Sequence, residues 1–222
     1  MEIKLLNHGS IRLVESMGND LSIVRSARVS YNADWRTGED EGKDEKLIAY
    51  LMKNRHTTPF ESVVFTFEVK APIFVFRQWH RHRTWSFNEI SARYSELPEE
   101  FYVPQLENIT TQSGDNKQAR TLKQHADASY IATYIDKISM EAFAQYKEFL
   151  TMGCPRELAR SILPVGTYSK MFATVDLHNL FHFLRLRLHE HAQYEIRVYA
   201  EAMLELIEPI VPIAVKYFKE TF

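Results

Sequence analysis

The sequence has few of the residues that build disulfide frameworks or phosphate-binding loops. It contains a single cysteine, Cys154, so no disulfide can form within the chain and a reducing compartment, the cytoplasm, is expected. It contains only 7 glycines, and none of them falls in a G-x-G-x-x-G or P-loop pattern. A bound nucleotide would therefore have to be held by side chains, because a glycine-rich backbone loop is missing.

The sequence also lacks a strong net charge and a long apolar run. The formal net charge of -2 argues against the overall basic field that nonspecific nucleic-acid binding requires. No apolar run approaches the ~20 residues that span a bilayer, and residues 1–16 alternate and carry charges, unlike a signal peptide. No linker rich in proline, glycine or serine divides the chain, so we expect one soluble domain over residues 1–222.

The most informative segment that is present is residues 81–94, RHRTWSFNEISARY. A polar cluster this dense is unlikely to form part of a hydrophobic core, because each buried charge needs a partner. It suits a multiply charged ligand such as a phosphate ester, which guanidinium groups bind through paired hydrogen bonds. The polar side chains of this cluster are Arg81, His82, Arg83, Glu89, Ser91 and Arg93, and its three arginines supply the guanidinium groups.

Hydrophobic periodicity gives an outline of the amino-terminal half. The pattern predicts two strands within 2–15, a helix over 20–29, a polar loop over 32–44, a helix over 46–53, a strand over 63–71 and a helix from Pro72. A capping-box pattern with proline at the first helical position predicts another helix start at Thr58-Pro59-Phe60-Glu61. The helix from Pro72 would deliver Gln78, His80 and Arg81 at its far end.

Helices predominate in the carboxy-terminal half. The pattern predicts strand or loop over 86–104, a polar loop over 105–118, then a helix to about Leu150, a helix over 155–163, a strand over 167–174 and helix to Leu206 with a potential break near 189–191. Asp176 is a good N-cap for the last helical stretch. Strands early and late with helices between them predict an α+β fold, in which a mostly antiparallel sheet is flanked by long helices.

The helix after Asp176 has two different faces. One is an apolar stripe of Leu177, Leu180, Phe181, Leu184 and Leu188, and the other is a polar stripe of His178, His182, Arg185 and His189. Two histidines at this spacing can share a zinc ion. The nearby arginines and the lack of an H-E-x-x-H pattern disfavour a metal, so an anion-binding face is preferred over a metal site and over a merely solvated face.

Other functional interpretations rest on single features. Cys154 precedes a predicted helix start, which can activate a thiol, although packing is the commoner role. Ser91 has no G-x-S-x-G elbow, which favours a hydrogen bond to a ligand over nucleophilic attack.

Aromatic residues interleave with arginines at Phe74, Phe76, Trp79 and Trp85. Core packing is preferred for them, with a single-stranded RNA-binding module over residues 77–94 as the alternative. A metal-dependent phosphohydrolase that uses the late histidines is a further alternative.

The pattern RHR-x7-S-x-R over residues 81–93 resembles the signature of the flavin-dependent thymidylate synthases. The resemblance covers most of the chain, through GNDLSIVRSARVS (18–30), HTTPFE (56–61), KAPIFVFRQW (70–79), PRELAR (155–160), LPVGTYSKMF (163–172) and LRLHEHAQYEI (186–196). It implies conversion of dUMP to dTMP with FAD as cofactor, methylenetetrahydrofolate as carbon donor and NADPH as reductant. It also implies a homotetramer whose active sites draw on several subunits.

The resemblance further implies which residues form the site. For FAD it implies Ser30, His56, Thr58, Arg81, His82, Arg83, Glu89, Asp176, His178 and His182. For dUMP it implies Gln78, Arg81, Glu89, Ser91, Arg93, Arg160 and Arg187. It implies neither a metal nor a protein nucleophile. Arg187 would be the catalytic residue, because a guanidinium at the uracil edge favours loss of the N3 proton.

Overall fold

An antiparallel five-stranded sheet forms the centre of the fold in a computed structural model, which describes residues 1–117 and 119–221. Its strands are β1 (Glu2–Leu5), β2 (Gly9–Met17), β3 (Val64–Pro72), β4 (Ser86–Glu89) and β7 (Tyr168–Asp176), in the spatial order β1-β2-β3-β7-β4. Each neighbouring pair is antiparallel. A separate hairpin consists of β5 (Thr110–Gln112) and β6 (Arg120–Gln124).

Helices pack around this sheet, so the predicted α+β class is confirmed. They are α1 (Asp20–Val29), α2 (Glu41–Lys53), α3 (Ile73–Trp79), α4 (Ala128–Thr151), α5 (Arg156–Ala159), α6 (Leu177–Arg187), α7 (Tyr194–Ile207) and α8 (Pro212–Glu220). Short 3-10 helices cover Asp34–Arg36, Thr58–Ser62, Leu106–Asn108 and Arg160–Ile162. The predicted break near 189–191 is confirmed between α6 and α7. Among the described residues, no helix is both long and apolar enough to cross a membrane.

The main core holds α3 and α6 against the sheet. Alternate residues of β3 are fully buried, as its pattern predicts, and the predicted apolar stripe of α6 faces the same core. Trp79, at the end of α3, stacks on Phe183 of α6 with ring centroids 5.1 Å apart, and both side chains are fully buried. This contact brings the segment that follows α3 next to the last turns of α6.

Two predictions in the amino-terminal half are wrong. Helix α2 begins at Glu41 rather than near Lys46, because the Asp40 side chain accepts a hydrogen bond from the Lys43 amide at 3.1 Å and caps the helix. The polar loop over 32–44 is correspondingly shorter and contains a 3-10 turn. The capping box at Thr58–Glu61 does not form: this segment is a 3-10 helix that follows Thr57 and has no side-chain cap.

The polar segment around residues 105–127 also differs from the prediction. A β-hairpin over residues 110–124 replaces the end of the predicted loop and the start of the predicted helix, and the long helix α4 begins only at Ala128. The Thr111 and Thr121 hydroxyls pair across the hairpin at 2.6 Å, and Ile109 packs on Ala128 and Ala132 in a small apolar cluster. Gln118, the last residue of the predicted loop, lies outside the described residues.

Candidate functional site

The centre of the candidate site is the Arg187 side chain, at the end of α6. Its Nε donates to Nε2 of His82 at 3.2 Å. Its Nη1 and Nη2 approach the side-chain and backbone oxygens of Gln78 at 3.5 and 3.4 Å. No ion pair links this guanidinium to a carboxylate within residues 1–117 and 119–221, and burial lowers the pKa of Arg187. The side chain is thus a partly desolvated cation that a bound anion would stabilise.

His82 is the buried member of the Arg-His-Arg segment. Only 8% of its surface is exposed, and its ring lies edge-on to Phe183 at 4.9 Å. Burial, followed by the nearby Arg187 and His182, lowers the pKa of His82 to about 4. The imidazole is therefore neutral at physiological pH, and its unprotonated Nε2 can accept the Arg187 hydrogen bond.

Arg81 and Arg83 differ from His82 in that both are exposed. Neither forms an ion pair with a carboxylate in the part of the chain that the structure describes. In the turn after α3, the His82 imidazole therefore points inward and contacts Arg187, whereas the guanidinium groups of Arg81 and Arg83 point outward. Both outward groups remain open to an anionic ligand.

The His82 pKa predicts a pH dependence of stability. Between pH 6.5, its ordinary pKa, and about 4, the unfolded chain binds more protons at this position than the folded protein does. The free energy of unfolding should therefore fall as the pH is lowered through this window. His82→Gln retains an acceptor for Arg187 but has no imidazole to titrate. We expect its free energy of unfolding to fall by about 2 kcal/mol less than that of the unaltered protein over this pH window. Urea unfolding of both proteins at pH 7 and 4.5 measures the difference; identical dependence would contradict it.

A cavity of about 310 Å³ lies between the end of α2, the 3-10 helix at Thr58–Ser62 and α6. Its cationic or imidazole residues are Arg55, His56, His178, His182 and Arg185, and its apolar wall is Leu51, Met52, Phe60 and Phe181. Among the described residues that line it, none carries a carboxylate. Cations facing an apolar wall fit a ligand that combines phosphate groups with a flat ring, so these residues suit FAD.

Backbone conformation at the end of α2 helps to form this cavity. Arg55 has a φ of 56°, in the left-handed region that usually requires glycine or asparagine. The chain turns sharply there, and the residues from Arg55 to Thr57 line the cavity. A non-glycine residue in this conformation costs about 1 kcal/mol, so the turn that carries His56 is held by the surrounding fold.

The other residues predicted to contact FAD have different surroundings. Ser30 is the exposed C-cap of α1, and Thr58 is exposed beside the cavity. Asp176 caps α6 as predicted, because its Oδ1 accepts from the Asn179 amide at 2.9 Å. Its Oδ2 accepts from the Asn179 side chain at 2.6 Å, so both carboxylate oxygens of Asp176 have a structural partner.

Most of the residues predicted for dUMP lie at another edge of the fold. Glu89, the last residue of β4, accepts a hydrogen bond from Ser169 at 2.6 Å and lines a groove of about 320 Å³. Arg93 is exposed and pairs with Glu157 at 3.3 Å, and the Ser91 hydroxyl accepts from the Arg93 amide. Arg160 is exposed at the start of a 3-10 helix. The structure brings Gln78, His82 and Arg187 together, with the Arg81 amide donating to the Gln78 backbone oxygen at 3.3 Å and the His182 ring edge-on to His82 at 6.2 Å. No described contact joins Glu89, Ser91, Arg93 or Arg160 to these three.

Two residues behind Gln78 were not predicted to belong to the site. Gln193 accepts a hydrogen bond from the Gln78 side chain, and Gln193 in turn donates to Glu195 at 2.8 Å. Glu195 is only 3% exposed. Both residues lie within the run LRLHEHAQYEI, so their positions were visible in the sequence. Their link to Arg187 was not, because it depends on the packing of α3 against α7.

The structure removes the basis of the RNA-binding alternative. Base stacking requires accessible rings, but Phe76, Trp79 and Trp85 are 1%, 0% and 6% exposed, and Phe74 packs against the same core. The core interpretation of these aromatic residues is thus confirmed. For the histidines of α6, no group of three or more metal-ligating side chains forms within the described ranges.

Cys154 packs beneath α4, against the cluster of Phe101, Phe143, Tyr146 and Ala159. The thiol is half-buried, which agrees with the packing interpretation. We expect Cys154→Ala to lower the free energy of unfolding by about 1 kcal/mol and to leave catalysis unchanged. Chemical unfolding and a turnover assay on the same preparation measure both. Complete loss of activity in a folded variant would restore Cys154 as a candidate nucleophile.

Comparisons with known proteins agree with this geometry. The model of the thymidylate synthase complementing protein family matches residues 12–213. The flavin-dependent thymidylate synthase of Treponema denticola is 50% identical over 220 residues, covering 98% of this chain and 82% of that protein. The enzyme of the same name from Thermus thermophilus is 47% identical, covering 99% of this chain and 79% of that protein. The crystal structure of the UMP/dUMP methylase PolB from Streptomyces cacaoi bound with 5-Br dUMP has a TM-score of 0.88 and 38% identity, covering 98% of this chain and 97% of that one.

Proposed function

The chain belongs to the thymidylate synthase complementing protein family, and from that membership we propose that it is a flavin-dependent thymidylate synthase formed by a single domain. The reaction converts dUMP to dTMP, with methylenetetrahydrofolate as carbon donor and NADPH as reductant. Its relatives of that name match nearly the whole chain. The structural neighbour bound with 5-Br dUMP supports dUMP as the substrate.

The observation that carries the proposal is the Arg187 guanidinium. It is half-buried, lacks a carboxylate partner in the described ranges, and is held by a neutral imidazole and an amide. Such a group can lie at the uracil edge and stabilise the negative charge that develops when N3 loses its proton. Loss of that proton makes C5 a better nucleophile, so the reaction needs no protein nucleophile. The packing role of Cys154 agrees with this.

The cavity lined by His56, His178 and His182 is where we place part of the FAD. Its donors suit the phosphate groups, and Phe60 and Phe181 suit a ring. When bound, FAD supplies the hydride that completes the methyl group. The remaining predicted contacts belong to the proposal: Ser30, Thr58, Arg81, His82, Arg83, Glu89 and Asp176 for FAD, and Gln78, Arg81, Glu89, Ser91, Arg93, Arg160 and Arg187 for dUMP.

A homotetramer with shared active sites is part of the same proposal. Within one chain, the exposed Arg93 and Arg160 have no described contact with the Arg187 centre. Residues of this kind can complete a site that another copy of the chain contributes. Mixing two differently inactivated variants, one in Arg187 and one in Arg93, tests this: activity should return in the mixture. We also place the enzyme in the cytoplasm, a reducing compartment that suits a chain with a single cysteine.

The proposed function is tested by product formation from purified components. The protein reconstituted with FAD should convert radiolabelled dUMP to dTMP only when both methylenetetrahydrofolate and NADPH are present. Omission of either one is the control, because each supplies atoms or electrons that nothing else in the mixture provides. A folded, FAD-loaded protein that forms no dTMP in the complete mixture would contradict the proposal.

A further inference from the structure

A buried carboxylate is linked to Arg187 through two side-chain amides. Glu195, in the first turn of α7, is 3% exposed. Its Oε1 accepts from the Tyr102 hydroxyl at 3.0 Å. Its Oε2 accepts from Gln193 at 2.8 Å and from the guanidinium of Arg120. The carboxylate therefore has three donors around it and a cation to balance its charge, as a buried charge requires.

The Arg120 partner comes from the hairpin that the sequence did not predict. Arg120 is the first residue of β6, and its Nη1 also donates to the backbone oxygen of Asn108 at 2.8 Å. The hairpin is thereby fixed to the start of α7. Burial and then the Glu195 carboxylate raise the pKa of Tyr102, so the phenol remains protonated and acts as a donor to Glu195.

From Glu195 the contacts continue to the catalytic centre. The Gln193 side chain donates to Glu195 with its Nε2 and accepts with its Oε1 from Gln78. The Oε1 of Gln78 then faces Nη1 of Arg187 at 3.5 Å. This last contact is long, of the kind that shortens when a ligand fills an active site. We call these four residues the Glu195–Arg187 series.

The chemistry of a carboxylate fixes the direction of every hydrogen bond in this series. An ionised carboxylate can only accept hydrogen bonds, whereas an amide can present either its oxygen or its nitrogen. Glu195 therefore requires the nitrogen of Gln193, which leaves the Gln193 oxygen for the nitrogen of Gln78. The Gln78 oxygen must then face Arg187, which can only donate. If the Gln193 amide were reversed, its NH2 group would face the NH2 group of Gln78. If the Gln78 amide were reversed, its NH2 group would face the guanidinium of Arg187.

We propose that Glu195 and Gln193 are positioning residues that hold Arg187 in its catalytic orientation by fixing the amide of Gln78. His82 accepts from Nε on one side of the guanidinium, and Gln78 faces Nη1 on another. The guanidinium plane is thereby aligned before substrate arrives, and such alignment contributes directly to rate. The proposal rests on the proposed function, because it takes Arg187 as the catalytic residue.

The test compares two substitutions on the same carboxylate. Glu195→Gln keeps the shape of the side chain, but its amide can donate as well as accept hydrogen bonds. The side-chain amides of Gln193 and Gln78 are then no longer restricted to one orientation. We expect kcat for dTMP formation to fall about 30-fold, with FAD affinity retained. Tyr102→Phe is the matched control, because it removes a hydrogen bond to the other oxygen of Glu195 and leaves the series intact. It should lower Tm while kcat stays within about twofold of the unaltered protein.

A double-mutant cycle separates positioning from general structural damage. In an Arg187→Lys background, Glu195→Gln should reduce the single-turnover rate by less than about threefold, because the group that it positions is already gone. If Glu195→Gln fails to fold, Gln193→Met interrupts the series while Glu195 keeps its pairing with Arg120. An equal kcat loss in Tyr102→Phe and Glu195→Gln, or a full additional loss in the Arg187→Lys background, would overturn the proposal.

A readout without turnover distinguishes this inference from the proposed function. The Nε–H resonance of Arg187 in an NMR spectrum should shift in Glu195→Gln and in Gln193→Met, and should stay in place in Tyr102→Phe. If the unaltered protein formed no dTMP, the proposed function would fail while this resonance still reported on the series. Unchanged resonances in both interrupting variants would refute the coupling itself.

Discussion

Replacement of Arg187 by alanine is expected to lower dTMP formation by about 100- to 1,000-fold, the range seen when one preorganised donor to a developing anion is removed. The side chain is already partly desolvated, as the burial-lowered pKa of Arg187 indicates, and it is oriented by His82 and Gln78. NADPH oxidation by bound FAD should survive, because the cavity assigned to FAD is lined by other residues. Radiolabelled product and NADPH absorbance give the two rates.

Two variants control for this result. Arg187→Lys keeps the positive charge but loses the planar set of donors, and we expect it to recover little of the activity. Arg197→Ala removes an arginine that pairs with Glu201 at 3.7 Å along α7, and it should leave dTMP formation unchanged. Normal turnover in Arg187→Ala would remove the role that the proposed mechanism gives to this residue.

The second large effect is expected for FAD binding. The double substitution of His178 and His182 by alanine should weaken FAD binding about 100-fold, since two polar contacts to the cofactor would be lost at once. Both histidines face the cavity whose described lining contains no carboxylate. Fluorescence titration of the apoprotein with FAD measures the change in Kd. Equal affinity in the variant would place FAD elsewhere.

His189→Ala provides the matched control for this prediction. His189 belongs to the same polar stripe in the sequence, but it lies beyond the end of α6 and contacts the His191 ring at 4.9 Å. It does not line the cavity. We therefore expect FAD affinity in this variant to stay within about twofold of the unaltered protein. A loss as large as that of the double variant would indicate a general effect of removing histidines.

Periodic segments with a buried face were predictable from the sequence. The strand around residues 63–71 and the apolar stripe of α6 both repeat with the period of their element, and both pack on the main core. The N-cap role of Asp176 was predictable because its partner amide lies three residues ahead and the apolar stripe of α6 begins directly after it. The start of α2 at Glu41 was not predicted, because the first residues of this helix are polar and lack an apolar periodicity. The Asp40 N-cap is the signal in the sequence for this start.

The parts that were not predictable depend on contacts between distant residues. The strands of the hairpin at residues 110–124 are short and mostly exposed, so they have no apolar alternation to reveal them. The pairing of Arg120 with Glu195 joins residues far apart in the chain. The burial of His82 likewise could not be read from the Arg-His-Arg pattern, because it follows from the packing of Trp79 on Phe183. The sequence pattern therefore identified polar residues of the site, but which of them are buried and which partners they have depends on tertiary packing.

In the proposed site, imidazole and guanidinium side chains align a flavin dinucleotide with a pyrimidine monophosphate. A titration of the FAD-loaded protein with dUMP, while the visible flavin absorption band is recorded, tests this alignment. We predict a saturable change in that band, as dUMP binds against the flavin, and a strongly weakened response in Arg187→Ala. A protein that cannot be loaded with FAD, or a flavin band that dUMP leaves unchanged, would contradict this alignment.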